Sequence, residues 1–177
     1  MKRFAFFLLL FLGAAACKTN PFTGKSTLNF YGDNNSLFPT AFAEYDKFLK
    51  SNEVVRGTSE AAMITSVGQR ISRAAERWLT ANGYPGYLKD YRWEYNLVKD
   101  KTINAWCMPG GKIVFYTGIL PVCQGETGVA VVMGHEVAHA LAVHGAQRMS
   151  AQTLQTLGMV AGNVAIQDPE DRLLFNE

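Results

Sequence analysis

His135, Glu136 and His139 are the residues of this chain whose types and spacing could do chemistry together. They form an H-E-x-x-H box inside Gly134-His135-Glu136-Val137-Ala138-His139. On a helix, residues four apart are separated by about 40° around the axis, so both imidazoles leave the same face. Two neutral imidazoles at that spacing can share one Zn²⁺ ion. Glu136 lies roughly 60° from His139 on the same wheel. Its carboxylate can reach a water on the metal without being a ligand itself. That is the arrangement for metal-assisted hydrolysis, in which the ion lowers the pKa of water and a carboxylate takes its proton.

The bland alternative is a core helix with two satisfied histidines and a buried acid. Residues 128–143 are mostly small and apolar, and an unpartnered carboxylate buried there would cost several kcal/mol. The chain has three histidines, all between positions 135 and 144. His144 follows His139 by five residues, where a metzincin pattern needs six with a glycine between. It reads as a structural group near the helix end, where Gly145 can interrupt the helix.

A helix that presents this box needs a scaffold, and 177 residues are enough for one domain with a real core. The formal charge is +2, and Lys2 and Arg3 account for it. Both belong to a front segment expected to be removed, so the remaining chain is near neutral and nothing points to nucleic acid, which is not expected as a partner. Residues 1–16 read as an export signal, with a Lys-Arg start and an apolar stretch too short to span a bilayer comfortably. The stretch ends Ala14-Ala15-Ala16-Cys17, close to a lipobox in which Cys17 is acylated. An ordinary cleavage after Ala16 is the competing reading. A lipid there would tether the protein to a membrane through a linker over residues 17–40, rich in Asn, Pro, Gly, Thr and Ser.

A short helix is expected over 41–50, and a longer one, capped by Thr58 or Ser59, to about Leu79. Its apolar stripe is Met63, Val67, Ile71, Ala74 and Trp78, and Trp78 reads as core. Residues 91–98 alternate, with Tyr91, Trp93, Tyr95 and Leu97 on one face and Arg92, Glu94 and Asn96 on the other. Strands over 103–107 and 112–116 follow, joined by Met108-Pro109-Gly110-Gly111. The expected fold class is α+β: a mainly helical domain with a small three-stranded β meander beside the H-E-x-x-H helix. An edge of that sheet could pair with an extended peptide. Cys107 and Cys123 could form a disulfide or be small buried hydrophobes. Further helices are expected over 147–166 and from Asp168, where Asp-Pro-Glu-Asp opens a helix well. That helix has about two turns before Glu177, which suggests a truncated chain.

Three stretches together look like a known family. They are Asn20-Pro21-Phe22-Thr23-Gly24 behind the lipobox, the segment from Asn104-Ala105-Trp106-Cys107-Met108-Pro109-Gly110-Gly111 to Thr117-Gly118-Ile119-Leu120, and the box with its flanks to Gly145. The chain resembles the HtpX-type gluzincins, metallopeptidase family forty-eight, and among them the periplasmic lipoprotein-type quality-control members. The resemblance implies a zincin-like domain over 41–177, one Zn²⁺ held by His135 and His139, and Glu136 as catalytic base. It implies that Asn104 and Ala105 border the cleft and bind substrate backbone. The family's third ligand is a Glu in a Glu-x-x-x-Asp setting. Glu170 and Glu177 do not match it, so that ligand is expected beyond residue 177. The function expected is a zinc-dependent endopeptidase acting on exported or misfolded envelope proteins, facing the periplasm and held at a membrane by the lipid. The alternative is an inactive fragment or pseudoenzyme that binds clients without cutting them.

Overall fold

The computed structural model describes residues 34–142 without a break, with the strands Cys17–Thr19 and Ser26–Leu28, Gly24, and positions 152, 155 and 156. The expected signal segment, His144, the helices over 147–166 and from Asp168, Glu170 and Glu177 lie outside the described residues. Strands β1 (Cys17–Thr19) and β2 (Ser26–Leu28) pair antiparallel, with Cys17 opposite Leu28. Among the described residues no helix is long and apolar enough to cross a membrane.

Helix α1 (Phe38–Ser51) follows a 3-10 turn at Asn34–Leu37 and carries Pro39 in its first turn, where the missing N–H costs nothing. It starts earlier than the expected 41, so the boundary drawn at 40/41 falls inside it. Phe38 is buried and stacks on Phe42. A short strand β3 (Val54–Val55) leads to helix α2 (Ser59–Ala81). The Thr58 hydroxyl caps α2, accepting from the Ala61 N–H at 3.2 Å.

The buried stripe of α2 is rotated from the expected one. Ile64, Val67, Gly68, Ser72 and Leu79 face inward, while Ala74 and Trp78 are exposed. The reason is Tyr95. Its ring lies flat on Gly68, where a Cβ would come within 2.2 Å of it, and its hydroxyl donates to Ser72 Oγ at 2.9 Å. A glycine and a serine thus form the contact surface, which an apolar count does not register.

The sheet corrects the expected meander. Strands β4 (Glu94–Val98), β5 (Ala105–Met108) and β6 (Lys112–Tyr116) exist, but the order is β3-β4-β6-β5. Strands β4 and β6 are parallel neighbours, Glu94 opposite Lys112, and β5 turns back on the far side of β6, Ala105 opposite Phe115. The central place goes to β6 because Ile113, Val114 and Phe115 are all fully buried, and only a strand covered on both faces tolerates such a run.

Side chains alternate between two layers. Val98, Trp106, Met108, Val114 and Tyr116 pack with Tyr45, Phe48 and Leu49 of α1. Leu97, Ala105, Cys107, Ile113 and Phe115 face the other way, with Ile64 and Val67 of α2 and Val129, Met133 and Val137 of the box helix. Two short turns, Thr117–Ile119 and α3 (Leu120–Cys123), deliver the chain to that helix, α4 (Glu126–Leu141).

Candidate metal centre

Helix α4 buries one stripe, Val129, Met133, Val137, Ala140 and Leu141, against the sheet and α2. Residues three and four apart lie on one face, so this stripe fixes how the rest of the helix is turned. Two ties hold it along its length. The Arg70 guanidinium pairs with Glu126 in its first turn, and Tyr87 donates its hydroxyl to the Leu141 carbonyl at 3.1 Å in its last. Burial pushes the Tyr87 phenol above its ordinary range, so it stays a donor.

Opposite the buried stripe stand Thr127, Val131, His135 and Ala138, all exposed. His135 and His139 turn their rings toward each other, with Nε2 to Nε2 at 2.9 Å, centroids at 4.4 Å and planes at 87°. Two imidazoles on a tetrahedral zinc at Zn–N of about 2.0–2.1 Å would stand ~3.3 Å apart at their ligating nitrogens. The two Nε2 atoms therefore stand within a few tenths of an ångström of the separation one ion requires, and with both nitrogens free of hydrogen the pair could share it. The donors present fit one half of a tetrahedral set. Among the described residues no group of three His, Cys, Asp or Glu side chains could hold a metal.

Glu136 is half-buried on the side of α4 that meets β5. Its neighbour across the gap is Cys107. Burial raises the Cys107 thiol far above its ordinary range, and the Glu136 carboxylate pushes it further the same way. The Cys107 thiol donates to the Met108 carbonyl at 3.5 Å, and both it and Cys123 are free cysteines, not a disulfide. Cys107 was not foreseen beside the acid. Its signal was strand parity, since two residues after Ala105 it must share that residue's face.

Ala105 is buried with its side chain in the core, and Asn104 is exposed just before it. Ala105 opens β5, an edge strand of the described sheet next to the box helix, and Asn104 directly precedes it. The Asn104 carbonyl accepts from the Tyr116 N–H at 3.1 Å, which ties the start of β5 to β6 and leaves the outer edge facing away. The structure thus sets Glu136 near Cys107 of β5, with His135 and His139 beside it on α4 and Ala105 at the start of that strand. Cys17 lies in β1, opposite Leu28 of β2.

A paired-imidazole helix beside an open sheet edge is the framework of a metal-dependent hydrolase. The profile of Peptidase family M48 matches residues 65–172, from α2 past the box, and the chain belongs to that family of metallopeptidases. It is similar to the mitochondrial metalloendopeptidase OMA1 of Schizosaccharomyces pombe, 40% identical over 80 residues, which cover 45% of this chain and 23% of that protein. It is similar to the OMA1 metalloendopeptidase of Homo sapiens, 25% identical over 144 residues, covering 81% of this chain and 26% of that one. A putative beta-barrel assembly-enhancing protease of Vibrio cholerae is 34% identical over 79 residues, 42% of this chain and 16% of that protein. The chain spans about a quarter or less of the length of these relatives.

Proposed function

We propose that this chain carries the metal site of a zinc-dependent endopeptidase that cuts exported or misfolded proteins of a bacterial cell envelope. The observation that carries the reading is the 2.9 Å convergence of His135 and His139 Nε2 on the helix flanking the open edge of β5. Family membership supports peptidase chemistry, and the names of the relatives support an endopeptidase. The envelope is supported by the name of the Vibrio cholerae relative and by the signal-like start ending at Cys17. On this reading Cys17 bears the lipid and the domain faces the periplasm, with the outer membrane favoured over the inner.

His135 and His139 would hold the zinc through Nε2. When bound, the ion supplies Lewis-acid polarisation and makes water acidic enough to lose a proton near neutral pH. Glu136 accepts that proton on its carboxylate and passes it to the departing amide nitrogen. Its place between the imidazoles and β5 sets it beside a substrate laid along the strand. The outward-facing backbone of Ala105 pairs with the extended substrate, beside Asn104, whose own N–H and carbonyl are bonded to Thr102 and Tyr116; recognition thus falls on main-chain groups and tolerates many sequences.

The test is zinc-supplemented cleavage of an unfolded protein such as casein. Chelation is expected to stop it, and Glu136→Gln to lower the rate by about 10²–10⁴-fold while zinc stays bound. His135→Ala and His139→Ala should each lose the metal. Zinc content unchanged in both histidine variants would overturn the site. Casein bound but left intact by the zinc-loaded chain would favour client binding without cleavage.

A further inference from the structure

The sheet order forces a crossing. Strand β5 follows β4 in sequence but lies two places away, so residues 99–104 must pass over the end of β6. That passage spans two strand spacings, about 10 Å. It ends at Asn104, where the candidate substrate edge begins.

The crossing is fastened at one point. The Thr117 hydroxyl donates to the Asp100 carbonyl at 2.8 Å and accepts from the Asp100 N–H at 3.1 Å. One side chain thereby takes both backbone groups of the crossing residue. The Gly118 N–H reaches the same carbonyl at 2.8 Å. Position 118 has no room for a side chain, since a Cβ there would lie 2.2 Å from the Lys101 carbonyl oxygen.

From Asp100 the bonds continue to the edge strand. Asp100 Oδ1 accepts from the Thr102 N–H at 2.8 Å, and the Thr102 carbonyl accepts from the Asn104 N–H at 3.0 Å. The Asn104 carbonyl then accepts from the Tyr116 N–H, one residue before Thr117, which closes the circuit. These bonds tie Asp100, Thr102 and Asn104 to one another and to the end of β6.

We infer that Thr117 is a positioning residue for the substrate edge: through Asp100 it holds the crossing loop so that Asn104 and Ala105 keep their backbone in register with the box helix. This rests on the reading of β5 as the edge that takes substrate. An edge displaced by a loosened crossing offers the substrate a poorer template, while Glu136 and the histidines, on a separately packed helix, are left in place. The loss therefore falls on binding and not on the chemical step.

The experiment compares Thr117→Val, Thr117→Ser and Asp100→Ala with the unaltered chain by amide hydrogen exchange and by peptide-cleavage kinetics. Valine keeps the shape of threonine and removes the hydroxyl. It should speed exchange at the Thr102, Asn104 and Gly118 amides by about tenfold or more, while Val114 amide protection holds. KM should rise about fivefold or more, with kcat within about twofold. Serine should restore both. Asp100→Ala frees the Thr102 N–H alone and should give a smaller change in the same direction; if Thr117→Val does not fold, Thr117→Ala, which also removes the hydroxyl, takes its place. Unchanged exchange at the three amides would overturn the clamp. Faster exchange with unchanged KM would overturn its link to substrate. A chain that neither binds nor cuts peptide refutes the peptidase reading instead, and the exchange arm then decides the clamp alone.

Discussion

The acid and the thiol that meet between α4 and β5 show how much a single side chain's surroundings decide. Cys107 is a free cysteine on the strand next to Glu136, and both burial and that carboxylate disfavour its charged form. A raised folded-state pKa means less thiolate at any given pH, and the thiolate is the nucleophile. Cys107 should therefore react with iodoacetamide at pH 8 at least about tenfold more slowly than an unfolded-chain cysteine. Glu136→Gln should speed the reaction, because the second of the two causes is removed. Alkylation at the unfolded rate would place the thiol in solvent. The box itself was legible, because His135, Glu136 and His139 are fixed relative to one another by helix geometry alone. The Cys107–Glu136 approach was not, because it depends on which strand lies next to the helix.

Elements follow the same division between local and distant causes. Helix α2 was readable at its start because the cap is local: Thr58 bonds the Ala61 N–H three residues on. Thr58→Ala should cost about 1 kcal/mol, seen as a fall in Tm of roughly 2–4 °C. No shift would mean that water replaces the hydroxyl without loss. Strand β4 was likewise readable from alternation, and β5 and β6 from the turn between them, yet their order was not. A meander and the observed β4-β6-β5 order need the same three local patterns. The clue lay in β6, where Lys112 to Phe115 are all buried, the mark of a central strand rather than an edge. Gly118 and Thr117 carry the consequence, for only a sheet in which the chain crosses over β6 needs a bare backbone and a hydroxyl there. The inward face of α2 was missed for a related reason, since Gly68 and Ser72 become core only when Tyr95 lies over them.

At the scale of the molecule, one sheet separates two helical layers, and the site belongs to one of them. The alternation over 91–98 puts Glu94 and Asn96 on one face of β4, opposite Tyr95 and Leu97. That face is covered by α1, and its polar groups are joined to one another. Lys112 Nζ reaches Glu94 at 2.8 Å and lies over the rings of Phe42 and Tyr45. Asn96 Nδ2 donates to Glu94 at 3.0 Å and to the Tyr45 hydroxyl at 2.8 Å, and that hydroxyl donates to the Ile113 carbonyl at 3.3 Å. Tyr45 is fully buried, and burial pushes its phenol far above the usual range, so it holds its proton at every working pH. This network specifies how α1 docks, where aromatic contacts alone would allow sliding. Tyr45→Phe keeps the ring and removes the hydroxyl, leaving Asn96 with Glu94 as a partner. The expected cost is about 1–2 kcal/mol, a fall in Tm of roughly 2–8 °C. Zinc binding by His135 and His139 should be unchanged below the new Tm, since α1 and α4 lie on opposite faces of the sheet. A variant that stays folded but loses zinc affinity would show that the α1 layer reaches through the sheet to the imidazoles. The layers would then act as one unit, and α1 would have to be counted among the elements that position the metal.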